Sequence, residues 1–351
     1  MTNKEQPIRV GVIGCGHWGP NHVRNFSTLA GSTVAACADT NAERLRAMKR
    51  IFPTLTTTGD YRQLLANPHV DAVVVATPTV THHAIASEAL RCGKHVLVEK
   101  PLALTAAHCR ELRRLTRARR RVLMVGHTFL FNTGIRKLKD CIASGEIGKV
   151  YYMDSTRTNL GPIRRDAGVV WDLASHDVAI FNFLLGAQPL EVSARAERFF
   201  RKGIEDVAFI SLSYPGRVIA NIHVSWLDPK KVRQIVISGS KKMLSWDDLA
   251  ATGPVMIYDK GVFADDHGKF REPYYASYGD FQLLPREGDV VIPHLKLQEP
   301  LQAEARHFLE CIRGGANKIS GPDTGVAVVN ALVAIQKSIA GNGRPVKVSR
   351  T

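Results

Sequence analysis

The sequence predicts an α/β protein: an N-terminal doubly wound domain, then an α+β domain with an open, mainly antiparallel sheet. Three observations predict this. Over residues 1–126, short apolar runs alternate with helix-like segments, and the runs are apolar throughout, as in parallel strands buried on both faces. A glycine-rich turn joins the first run to the first helix. Over residues 127–351, strand-like runs separated by turn residues replace the alternation.

In chain order, Ile8–Ile13 reads as a strand and Trp18–Leu29 as a helix. Thr33–Ala38 and Asn41–Ile51 repeat the pair. Asp71–Ala76 is a continuous apolar strand, followed by a helix through Leu90. His95–Val98, a helix to Arg120 and Val122–Val125 complete the domain. The second domain opens with a helix over Gly134–Ser144, a long strand over Lys149–Thr158 and a helix over Val169–Leu185. Five strands follow: Glu191–Ala196, Asp206–Tyr214, Arg217–Trp226, Val232–Ser238 and Lys242–Asp247. Turns are expected at Pro215–Gly216, Asp228–Pro229 and Gly239–Ser240. Tyr258–Pro293 reads as loops, and helices over Leu301–Arg313 and Thr324–Ala340 end the pattern.

At 351 residues the chain has room for about two domains of ~150 residues each. No apolar run approaches the ~18 residues of a membrane helix, and no secretory leader pattern opens the sequence, so no membrane partner is expected. Six cysteines stand singly, without CxxC spacing, which fits reduced thiols in the cytoplasm and no metal site. The net charge of +15 fits a basic surface or an anionic ligand. The densest basic run, Arg110–Arg121, falls on a sheet-covering helix with no recognition module beside it, so no nucleic-acid partner is expected.

Gly14-Cys15-Gly16-His17-Trp18-Gly19 follows a strand directly and opens a helix. Gly14 permits the tight turn, Gly16 a close approach of backbone to a pyrophosphate, and Gly19 close helix–strand packing; the helix N-terminus offers N–H groups to the anion. Asp39 ends the second strand 20 residues beyond Gly19, where a carboxylate accepts from ribose hydroxyls and repels a 2′-phosphate. NAD is therefore favoured over NADP, a preference moderated by Arg44 and Arg46. Thr77-Pro78 ends another strand on the cofactor side.

Glu99-Lys100-Pro101 places a lysine at the carboxyl edge of a parallel strand, where ligands bind. Asp172 and His176 are four apart in a helix that is otherwise apolar, a spacing that puts both on one face. A carboxylate there can orient an imidazole that titrates near neutrality. Arg157, Asn159, Arg164 and Arg165 lie between the long strand and this helix and could meet a diphosphate or carboxylate.

Together these residues resemble the Gfo/Idh/MocA oxidoreductases. The resemblance rests on the GxGxxG start, Ala76-Thr77-Pro78, His82, Ala89-Leu90, the stretch Gly93–Ala103 containing Glu-Lys-Pro, and Asp172-x-x-x-His176. It implies a Rossmann domain and an open sheet whose outer face forms dimers or tetramers. It also implies Lys100, Asp172 and His176 as the catalytic group, with Gly14, Gly16, His17, Trp18, Gly19, Asp39, Thr77, Pro78, His82, Glu99 and Lys100 at the cofactor. Arg157–Asp177 and Val125–Asn132 resemble the branch that oxidises nucleotide-linked amino sugars at C3. Many relatives carry an arginine after the Val125-Gly126-His127 motif, where this chain has Thr128-Phe129-Leu130-Phe131. The implied activity is hydride transfer from a sugar hydroxyl, with Lys100, Arg157, Asn159, Arg164, Arg165, Asp172 and His176 facing the substrate. Two alternatives stand: a dehydrogenase of a free sugar, cyclitol or glycoside, and a non-catalytic NAD-binding sensor.

Overall fold

In the computed structural model, residues 6–164, 167–262, 285–286, 288–317 and 319–350 are described. The chain divides into two compact units. The first comprises Met1–Asn132 with Gln298–Val333, the second Thr133–Leu297 with Ala334–Ser349. Sequence periodicity suggests one cut near residue 126; the compact units are instead discontinuous, because a C-terminal segment returns to the first.

The first unit is built on a parallel sheet of β1 (Ile8–Ile13), β2 (Ser32–Ala38), β3 (Thr56–Thr58), β4 (Ala72–Val75), β5 (His95–Glu99) and β6 (Leu123–Gly126). The strands lie in the order β3-β2-β1-β4-β5-β6, the doubly wound arrangement. Every residue of β4 is buried, which explains its continuous apolar sequence. Between strands run α1 (Gly19–Thr28), α2 (Ala42–Ile51), α3 (Tyr61–Ala66), α4 (Thr79–Arg91) and α5 (Ala106–Arg119). Local chemistry starts three of them. Asn41, Asp60 and Thr105 accept hydrogen bonds from the first free N–H groups of α2, α3 and α5. The short pair β3–α3 escapes the sequence reading, because three threonines and one and a half turns carry too little apolar periodicity.

The second unit holds α6 (Thr133–Ala143), β7 (Val150–Leu160), a π-helical turn over Val170–Ala174 and α7 (Ser175–Leu185). It continues with β8 (Glu191–Glu197), β9 (Val207–Tyr214), β10 (Val218–Ser225), β11 (Leu227–Gly239), β12 (Met243–Asp247) and β13 (Val255–Tyr258). Among the described residues these strands form a sheet in the order β13-β12-β11-β7-β10-β9-β8. All neighbours are antiparallel except β7 and β10. Along β7, Met153, Ser155 and Arg157 are buried, while Tyr152 stands 47% exposed on the other face. Ile219 and Phe209, 53% and 59% exposed, share that outer side.

Asp228–Pro229 is not a turn. It lies inside β11, in the stretch between Leu227 and Val232 where the register with β7 shifts. A proline has no N–H for the ladder, and a register break is where a strand accommodates one. The expected loop over Tyr258–Pro293 contains β14 (Gly261–Val262), β15 (Pro285–Arg286) and β16 (Val290–Val291), with most of the rest outside the described residues. The chain ends with α8 (Pro300–Ile312), α9 (Pro322–Ala340) and β17 (Val346–Lys347). Within the first unit, α8 packs against α1 and against the short helical turn Thr128–Phe131 that follows β6. No described helix is long and apolar enough to cross a membrane.

Candidate active site

In the first unit the glycine turn sits at the carboxyl end of β1. Gly14 has φ +96°, and a Cβ there would lie 2.5 Å from the Ala76 carbonyl oxygen. A Cβ on Gly19 would stand 2.1 Å from the Gly14 carbonyl oxygen. Both glycines are therefore required by backbone packing. Gly16 is different. A Cβ there would have only the Arg44 guanidinium within contact range, at 3.8 Å. The space in front of Gly16 is the cradle a phosphate group needs. Trp18, at the start of α1, makes no side-chain cap, and Pro20 follows, so the first N–H groups are left for an anion. His17 and Trp18 lie exposed beside this turn, their rings edge-to-face at 5.2 Å.

Asp39 binds the turn from β2. Its Oδ2 accepts from the Cys15 N–H at 2.7 Å, its Oδ1 from the Asn41 N–H at 2.8 Å, and Arg44 stands 3.5 Å away. The carboxylate thus shapes the glycine loop as well as presenting acceptor lone pairs at the β2 edge. These residues fit a dinucleotide: a steric opening, free helix N–H groups and an acid at the ribose position.

Two strands away, Thr77-Pro78 and Glu99-Lys100-Pro101 follow β4 and β5. His82 bridges the two segments: Nδ1 meets the Pro101 carbonyl oxygen at 2.8 Å and Nε2 that of Thr77 at 2.9 Å. Two carbonyls favour the imidazolium, but burial dominates and holds His82 below the ordinary histidine range. Buried at 1% exposure, His82 ties the two loops together from within. Glu99 is turned inward as well. Its Oε1 accepts from His22 Nε2 at 2.8 Å, and its Oε2 from the Lys100 N–H at 3.3 Å. Burial pushes its carboxyl up, but the His22 bond and charge, with Lys100, keep it below the usual carboxylate range.

In the second unit, Asp172 lies within the π turn and His176 in the first turn of α7. Widened turns of this kind recur at functional sites. Asp172 Oδ1 accepts from Arg164 Nη1 at 2.9 Å. Arg164 is partly exposed, and Asn159 donates to the Gly161 carbonyl. Arg165 lies outside the described residues.

Arg157 requires a correction. It is inside β7, not in a loop, and is 3% exposed. Its Nε and Nη2 each donate to Asp177 at 2.9 Å, and Ser155 Oγ donates to the same carboxylate at 2.8 Å. A guanidinium engaged in this way anchors α7 from beneath, one residue from His176. Asp177 escapes the sequence reading because its partner sits 20 residues earlier on another element. His22, His127 and Glu304, all buried polar residues of the first unit, escape it for the same reason.

Residues 8–127 match a family described as "Oxidoreductase family, NAD-binding Rossmann fold", and residues 135–245 match the "GFO/IDH/MocA C-terminal domain". The chain is 29% identical over 287 residues to the myo-inositol 2-dehydrogenase of Thermotoga maritima, covering 77% of this chain and 85% of that one. It is 30% identical over 261 residues to the UDP-N-acetylglucosamine 3-dehydrogenase of Acidithiobacillus ferrooxidans, covering 73% and 78%. GenD2 from gentamicin A biosynthesis, solved in complex with NAD, shares the fold with a TM-score of 0.81 at 22% identity, covering 99% of this chain and 98% of that one.

Proposed function

Because the chain belongs to the GFO/IDH/MocA oxidoreductase family and carries its NAD-binding Rossmann domain, we propose that it oxidises C3 of a nucleotide-linked amino sugar. The observation that carries the dehydrogenase reading is the open cradle at Gly16 on the same sheet edge as Lys100. In this reading Gly14, Gly16, His17, Trp18 and Gly19 receive the pyrophosphate, Asp39 the ribose, and Thr77, Pro78 and Lys100 the nicotinamide half.

Bound NAD supplies the hydride acceptor. His176 takes the proton of the sugar hydroxyl, and the Lys100 ammonium donates to the same oxygen as negative charge develops on it. Asp172 keeps His176 in the proton-accepting tautomer and offsets the imidazolium charge. Arg164, bonded to Asp172, links that acid to the anionic part of the substrate. The net charge of +15 and the match to a UDP-sugar dehydrogenase support an anionic substrate. The exposed Tyr152, Phe209 and Ile219 support assembly of copies through the outer sheet face.

The match to an inositol dehydrogenase favours a second reading, a free sugar or cyclitol handled by the same residues. NADH formation with a panel of UDP- and dTDP-sugars, free sugars and inositols separates the two. Turnover of UDP-N-acetylglucosamine or its uronic acid supports the first, and turnover of inositols alone supports the second. Tight NAD binding with no turnover of any of these in either direction would favour the sensor reading or a substrate outside the panel.

A further inference from the structure

A second group of polar residues lies wholly inside the first unit, beneath Lys100. His22 is 0% exposed, His127 2%, Glu304 0% and Glu99 8%. Four of their side-chain atoms have no hydrogen-bond partner among the described residues: His22 Nδ1, both ring nitrogens of His127, and Glu304 Oε1. Buried polar atoms are normally paired, and internal water is the usual partner where protein groups do not reach, so the shared surroundings of these four form a small polar chamber.

Packing defines its walls. Glu99 pairs with Gly126 across β5 and β6, and a Cβ on Gly126 would lie 3.2 Å from Glu99 Oε2. His127 follows directly. Thr128 comes next, its Oγ donating to Glu304 Oε2 at 3.2 Å. Helix α1 brings His22 to Glu99 and packs on α8, where the Phe26 and Phe308 rings meet at 6.3 Å. His22 and Glu304 each lie one turn from that ring contact, on the facing stretches of the two helices. The charged and titratable groups facing the chamber are Glu99 and Lys100 from the β5 end, His82 from α4, His22 from α1, His127 after β6, and Glu304 from α8.

Two carboxyls buried this close to each other do not both ionise readily at neutral pH. Glu99 has an imidazole, a backbone N–H and the neighbouring Lys100 ammonium to support its charge. Glu304 accepts from the Thr128 hydroxyl, which carries no charge. We propose that Glu304 is a positioning residue: a neutral acid that donates, through water held with His127 and His22, to Glu99 and keeps that carboxylate anionic behind Lys100. Burial first, and then the Glu99 charge, pushes the Glu304 carboxyl well above its usual range, against the Thr128 bond. Burial and the Lys100 charge hold His127 down at about 4, so the ring is neutral, with one nitrogen able to donate and the other to accept.

The inference rests on the dehydrogenase reading only where it invokes Lys100; the chamber and the Glu304 proton stand apart from it. The test compares infrared spectra of the wild type and Glu304→Gln at neutral pH. The expected result is a protonated-carboxyl C=O band in the wild type that the variant lacks. Its absence from the wild type overturns the proposal. The second readout is the pH profile of kcat/KM with the substrate found by the panel. In Glu304→Leu, which cannot donate, the acid limb should move up by about one pH unit, a tenfold loss at a fixed acidic pH. Glu304→Gln, which keeps an N–H donor, should recover most of that loss. Equal profiles for all three proteins, or Glu304→Gln as impaired as Glu304→Leu, overturn it. Unchanged turnover in Lys100→Ala would sink the catalytic reading while leaving the infrared result intact.

Discussion

Replacing Arg157 by methionine separates anchoring from substrate binding, because the two roles predict opposite outcomes. Asp177 receives two bonds from Arg157 and one from Ser155, at 2.9, 2.9 and 2.8 Å, and the paired side chains are 3% and 0% exposed. Methionine keeps much of the length and apolar bulk but leaves a buried carboxylate with one of its three bonds. Breaking a buried ion pair from one side costs about 3–5 kcal/mol. For a unit of this size, ~2–4 °C per kcal/mol converts that to a melting-temperature loss of about 6–20 °C. The assay is thermal melting by circular dichroism, paired with KM for the substrate. A double variant, Arg157→Met with Asp177→Leu, should regain most of the loss, since it leaves no buried charge uncompensated. A methionine variant that melts within ~2 °C of wild type but raises KM tenfold would refute the reasoning and restore Arg157 to the substrate.

Gly16→Ala should leave the melting temperature unchanged without cofactor and abolish the stabilisation that NAD confers, because its Cβ would enter the cradle and meet only the Arg44 side chain. Gly19→Ala should lower the melting temperature outright, since its Cβ collides with backbone at Gly14. Asp39→Ala leaves the Cys15 and Asn41 N–H groups without their carboxylate and removes the charge beside Arg44. NAD affinity should fall about tenfold, while NADP loses less, as read by nicotinamide fluorescence titration. His127 carries a pH signature of its own. Folding holds it at about 4, below the ordinary ~6.5, so unfolding takes up a proton between those values. Its contribution to stability is complete above that window and is lost as pH falls through it. His127→Gln should flatten the slope of stability against pH by up to ~1.4 kcal/mol per unit near pH 5, measured by urea denaturation.

Much of the first unit is legible in the sequence because its determinants are local. The Ile8–Ile13 strand coincides with β1 residue for residue, the glycines state where the backbone must pass close, and the helix read over Asn41–Ile51 begins at its capping residue. Lys100 is legible because a lysine before a proline at a strand end reads the same in one dimension as in three. Six second-unit strands, β7 to β12, are found for the same reason, though the Asp228–Pro229 dipeptide, which elsewhere makes turns, lies inside β11 at a register shift; β13 to β17, two to four residues each, are too short to carry a period and escape it.

The sequence by itself determined the periodicities, the turns and the chemical types present: which runs become strands, where a dinucleotide loop begins, that a lysine, an aspartate and a histidine are available. These follow from short-range sterics and from the 2.0 and 3.6 repeats. Tertiary structure alone decided how the polar groups are used. Arg157 becomes an anchor because β7 places it under Asp177. Glu304 becomes a buried acid because α8 meets a threonine 176 residues away. His82 becomes a strut because two loops converge on it. Ionisation and hydrogen bonding depend on desolvation and on partners distant in the chain, and neither is written in any local stretch of residues.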